Sequence, residues 1–89
     1  MRIKLSIKPR AHISRYIFGS ALYSETPSDI DVAIIYDKNY VKVEDAIAYR
    51  RELVDEMTQL NSMIIDTILL SLEEEMEMAF LENAKVLEF

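Results

Sequence analysis

The chain predicts a small α/β domain, a mixed β-sheet with helices packed on one face. Three observations predict it. Runs rich in β-branched and other apolar residues at 13–18, 29–36 and 63–70 read as strands. Between the last two runs, the apolar residues change to helical spacing. A capping box, Ser71-Leu72-Glu73-Glu74, then opens a second helix directly after the last strand. The 89 residues, 51% of them hydrophobic, suffice for one modest core, and the chain reads as one domain spanning 1–89.

Each element has its own signal. Residues 2–8 alternate basic and apolar, with Ile3, Leu5 and Ile7 on one side, and predict a short edge strand that Pro9 breaks. Ile13-Ser14-Arg15-Tyr16-Ile17-Phe18 reads as a core strand ending at Gly19-Ser20. Ala21 to Ser28 reads as a turn or a single helical turn, with Pro27 and Ser28 as breakers. The run 29–36 is the next strand, and Asp37-Lys38-Asn39 turns the chain. From Val43 to Leu60, Ala46, Ile47, Tyr49, Leu53, Val54, Met57 and Leu60 mark one face of a helix, punctuated by Asn61-Ser62. Met63 to Leu70 is a third core strand. Leu72, Met76, Ala79, Phe80, Ala84 and Leu87 then describe a second amphipathic helix whose early glutamates suit the helix dipole.

Composition excludes several classes. The formal net charge of −6 argues against a general nucleic-acid binder, which needs a basic face for phosphates. There is no cysteine, hence no disulfide framework and no thiolate chemistry, as expected of a reducing cytoplasm. The first eight residues lack the apolar core of a signal peptide, and no run is long enough for a membrane span.

The chemistry centres on Asp29-Ile30-Asp31. Alternate strand residues point to the same face, about 7 Å apart along the backbone, so these two like charges repel. A divalent cation between them turns that repulsion into a ligand set. Asp66 interrupts the third strand, where a buried, unpaired carboxylate would be costly. Placed beside Asp29 and Asp31, it completes a hard-oxygen site for Mg²⁺ or Mn²⁺. Such sites run two-metal chemistry. Gly19, the chain's one glycine, lies just upstream, where a backbone approaches a ligand closely. A lone Asp-x-Asp is ordinarily a turn or cap pattern, and Ser20 by itself reads as a cap; the combination carries the signal.

The order Phe18-Gly19-Ser20, a spacer, Ser28-Asp29-Ile30-Asp31, then a lone Asp66 on a strand resembles the nucleotidyltransferase superfamily of DNA polymerase beta. The nearest likeness is to its stand-alone minimal nucleotidyltransferase domains, and it extends over nearly the whole chain. The resemblance implies a polymerase-beta-like nucleotidyltransferase fold. It implies Asp29, Asp31 and Asp66 as catalytic metal ligands for two Mg²⁺ (or Mn²⁺) ions, with Asp66 also activating the acceptor hydroxyl. Gly19 and Ser20 would contact the β- and γ-phosphates of ATP. The spacer Ala21–Ser28 is short for the family. Ala21, Leu22, Tyr23 and Ser24 stand where many relatives have arginines and then a glycine, leaving Arg15, Lys38 or a partner chain as sources of positive charge.

The activity implied is transfer of AMP from ATP to a hydroxyl group. Minimal domains of this kind are often cytoplasmic antitoxins that adenylylate a tyrosine of a HEPN-type toxin, so the expected partners are a nucleoside triphosphate and such a toxin, or a second copy of the chain. No nucleic acid or membrane partner is expected. Two other readings stand beside it: a catalytically weak or inactive module that masks a partner protein, and a small-molecule transferase acting, for instance, on an antibiotic. His12 reads as an ordinary surface residue, Tyr23 as a packing residue beside the phosphate turn, and Met57, Met63, Met76 and Met78 as core filler.

Overall fold

The computed structural model describes residues 3–4, 8–25 and 27–89. In chain order the elements are β1 (Ile13–Phe18), a 3₁₀ turn (Gly19–Leu22), β2 (Asp29–Tyr36), α1 (Val43–Asn61), β3 (Ile64–Ser71), α2 (Leu72–Met78), α3 (Phe80–Asn83) and β4 (Val86–Glu88). The four strands form one mixed sheet in the order β3-β2-β1-β4. β1 runs antiparallel to β2 and to β4, whereas β2 and β3 are parallel and joined through α1. A parallel pair needs such a crossover.

The three strands and the long helix stand where the residue pattern puts them, within a residue or two. β2 is the most apolar strand and the best buried. Its Ile30, Val32, Ile34 and Tyr36 share one face with Ile13 and Ile17 of β1 and Ile65 of β3. Ala46, Tyr49, Leu53 and Met57 of α1 close over that face. Their spacing is the helical stripe of the sequence, and this layer is the main core. Glu44 and Asp45 lie in the first turn of α1, and Ser62 ends it in the left-handed conformation (φ 53°), its N–H donating to Thr58 O at 2.8 Å.

Five expectations need correction or limitation. The edge strand expected at 2–8 falls largely outside the described residues; Ile3 packs against the core and Lys4 exchanges hydrogen bonds with the Asn61 amide, outside any strand. β3 is a terminal strand of the sheet among the described residues, because it pairs with β2 alone; Ile64 is 68% exposed. The second amphipathic helix is broken at Ala79, which adopts a left-handed conformation (φ 48°), and the chain continues into the short α3 and β4. Glu75 Oε1 accepts from Leu81 N–H at 3.3 Å across this break. The short α2 leaves Met76 and Met78 exposed, so of the four methionines read as filler only Met57 and Met63 pack with the core.

The last correction concerns the layers. Phe18 points away from the face that α1 covers, since Ile17 points into it. Its ring meets Phe80 of α3 edge-on, centroids 5.1 Å apart. The helices therefore divide between the two faces. The cause is connectivity: α2 leaves the end of β3, and the chain must reach β4 on the far side of β1. It crosses the second face on the way, over a small layer in which Ala33, Ile35 and Leu70 are buried.

Candidate functional site

The second face carries the acids. Asp29 opens β2 and Asp31 lies two residues on, on the same side. The parallel register pairs Asp31 with Asp66 of β3, while Phe18 faces Asp31 from β1. Each of the three aspartates offers a carboxylate oxygen, and these oxygens all lie within 4.8 Å of one another. Asp29 and Asp31 are half-buried. Asp66 is exposed, contrary to the burial expected of it, because among the described residues β3 pairs with β2 alone. Strand register brings Asp66 to the site.

Electrostatics at this point are unfavourable for the bare protein. Partial burial raises the Asp31 carboxyl above its ordinary value, and the neighbouring Asp29 and Asp66 raise it further. Among the described residues, none of the three aspartates has an ion pair or a side-chain hydrogen bond. Three carboxylates without other partners are the donor set that hard divalent cations take. An octahedral Mg²⁺ with ligands at about 2.1 Å holds oxygens up to about 4.2 Å apart, so small side-chain rotations bring this set to bonding span.

Gly19 belongs to the same construction. Its φ is +76°, a region where a side chain is strained. A Cβ built there would collide with Asp31 Oδ2 and lie 3.4 Å from Asp31 Cγ. The glycine thus packs directly on the central carboxylate. The 3₁₀ turn that it opens is anchored by the buried Ala21 and by Leu22, both against the core, and leaves Ser20 exposed at its head. Ser20 O accepts from Tyr23 N–H and Ser24 N–H, each at 3.0 Å.

The cations expected to serve this site do not. Arg15 points to the α1 face and is nearly buried. Its Nε and Nη2 donate to Phe89 O at 3.1 and 2.7 Å, its Nη1 donates to Tyr49 Oη at 3.1 Å, and it lies 4.9 Å from the Phe89 ring centroid. Lys38 stands at the opposite end of β2, paired with Glu73. Sequence reasoning misses Lys85. It immediately precedes β4, and its Nζ lies 6.0 Å from the ring centroid of Tyr23, which is 70% exposed rather than packed. Its only sequence signal is the short Val86-Leu87-Glu88 run, which also continues a helical pattern. His12 is exposed as expected, with φ +67°, and stacks on Tyr40 at 4.0 Å.

Compared with protein-family models, curated proteins and solved structures, the chain matches none. Among the described residues no helix is long and apolar enough to cross a membrane.

Proposed function

We propose that the chain is a metal-dependent nucleotidyltransferase of the polymerase-beta type, moving AMP from ATP to a hydroxyl acceptor. One observation carries this reading: Asp29, Asp31 and Asp66 converge within 4.8 Å at the sheet end where Gly19 packs on Asp31. Asp29 and Asp31 would hold two Mg²⁺ or Mn²⁺ ions and Asp66 one of them. Bound there, the ions would supply Lewis-acid polarisation of the α-phosphate and charge stabilisation of the pyrophosphate.

The chain's own residues do the rest. Gly19 and Ser20 seat the β- and γ-phosphates, the glycine by lacking a side chain and Ser20 by its exposed hydroxyl. Asp66 is the most exposed of the three carboxylates, so it takes the proton of the incoming hydroxyl. The acceptor oxygen then bonds to the α-phosphorus, the bond from that phosphorus to the β-phosphate's bridging oxygen breaks, and pyrophosphate leaves. Among the described residues no strand pairs with β3 beyond β2, which supports a large acceptor such as a tyrosine of a HEPN-type toxin, and hence an antitoxin role.

A second reading has one observation in its favour. With Arg15 and Lys38 both engaged elsewhere, the chain has the character of a module that masks a partner without catalysis. Incubating a HEPN-type partner with the protein, ATP and Mg²⁺, then weighing the partner by mass spectrometry, separates the two. A mass gain of AMP units that Asp29→Asn removes supports transfer. A tight complex with no mass gain from the wild type replaces transfer with masking.

A further inference from the structure

Even with two divalent cations bound, three carboxylates and a nucleoside triphosphate leave a site net negative. A further cation is needed near the outer phosphates. β4 brings one beside the Gly19-Ser20 turn. Its antiparallel register sets Glu88 opposite Tyr16, Leu87 opposite Ile17 and Val86 opposite Phe18. The residue before Val86 is therefore level with the residue after Phe18, and Lys85 stands beside Gly19. Its ammonium lies over the exposed face of Tyr23, which ends the same turn that Gly19 and Ser20 begin. Lys85 forms no ion pair among the described residues, whereas Arg10 pairs with Asp45 and Lys38 with Glu73.

We propose that Lys85, held beside the Gly19-Ser20 turn by β4 and resting on Tyr23, is the residue that binds the outer phosphates of the nucleoside triphosphate. This rests on the nucleotidyltransferase reading above and adds to it a residue that neither the motif nor its spacing contains. A lysine is a compact point charge on a flexible stem. It leaves the Tyr23 ring, where a solvated cation–π contact contributes little, for a phosphate oxygen, where a charge-assisted hydrogen bond contributes more.

The test is calorimetry of wild type, Lys85→Ala and Lys85→Arg with ATP and with AMP, each with Mg²⁺, at two salt concentrations. Lys85→Ala is expected to weaken ATP binding roughly tenfold, the loss of one charge-assisted hydrogen bond at an exposed site. It should leave AMP affinity and the melting temperature unchanged, because AMP lacks the outer phosphates. Lys85→Arg should restore most of the affinity, and the salt dependence of ATP binding should be shallower in Lys85→Ala. Wild type that binds Mg²⁺-ATP no better than Lys85→Ala overturns the role of Lys85 alone. So does an equal loss for ATP and AMP. Wild type that fails to bind Mg²⁺-ATP at all removes the nucleotide site itself, and Lys85's role with it.

Discussion

The paired strands β2 and β3 meet acid at both ends and treat it in opposite ways. At the C-terminal end, Glu73 and Glu74 come directly after Ser71 and Leu72. Ser71 N–H donates to Glu74 Oε1 at 3.0 Å, Glu74 N–H donates to Ser71 Oγ at 3.2 Å, and Lys38 pairs with Glu73. The backbone hydrogen bond from Ser71 holds the Glu74 carboxyl below its ordinary value, assisted by the Ser71 hydroxyl. At the N-terminal end, burial and two neighbouring carboxylates push Asp31 the other way. One end uses its acids to start a helix. The other gathers three acids where none relieves another, a structural cost that a bound cation would offset.

Removing charge from the crowded end separates these roles most strongly. Asp29→Asn with Asp31→Asn is expected to abolish nucleotidyl transfer, a fall of at least about a hundredfold, since the ligands of both ions are lost. The melting temperature should stay the same or rise, because repulsion is relieved. Activity assays and thermal melts on the double variant check both halves. Full activity, or a chain that fails to fold, contradicts the comparison.

Gly19→Ala comes next. A methyl group there meets Asp31 Oδ2, and the left-handed backbone adds about 1–2 kcal/mol of strain. Denaturant unfolding should show that loss, and metal-dependent ATP binding should fall with it. At the satisfied end, Ser71→Ala is expected to cost about 1 kcal/mol, the usual value of an N-cap, with nucleotide binding unchanged. An equal loss of ATP affinity would mean the two ends are not independent.

The smallest effect is in pH. A raised carboxyl favours the folded state only while it is protonated. Stability from Asp31 therefore falls as pH rises from 3.8 through its raised folded value, and the penalty is complete above that value. Asp31→Asn should accordingly raise the metal-free melting temperature at pH 7 and lose that advantage below pH 3.8. Glu74 has the opposite sign: its lowered carboxyl contributes stability above its ordinary value of 4.5, lost as pH falls through the folded value. Glu74→Gln should therefore lower the melting temperature at pH 7, and the deficit should shrink in acid. Melts of the two variants against wild type across this range check the opposed signs.

Much of this is legible in the residues. The apolar runs of β1 and β2, the helical stripe of α1 and the Ser71–Glu74 box are local signals, and each element forms where its signal lies. The convergence of Asp29, Asp31 and Asp66 is also foreseeable, because a strand–helix–strand order favours a parallel pair. The exposure of Asp66 is not, because a strand's rank in a sheet is set by what pairs beyond it, which no run of residues within it records. The break at Ala79 is invisible for a related reason. Alanine is the best helix former, and its left-handed conformation here comes from the need to cross the second face to β4. β4 itself is only Val86-Leu87-Glu88, too short for an alternation to speak, and Lys85 is hidden with it.

The central claim is that Asp29, Asp31 and Asp66 bind a nucleoside triphosphate through divalent metal. Titration calorimetry of ATP into the protein, once with Mg²⁺ and once with EDTA, tests it most directly. Three carboxylates repel a bare triphosphate, so binding is expected with Mg²⁺ and should be lost in EDTA. Equal affinity under both conditions would contradict it.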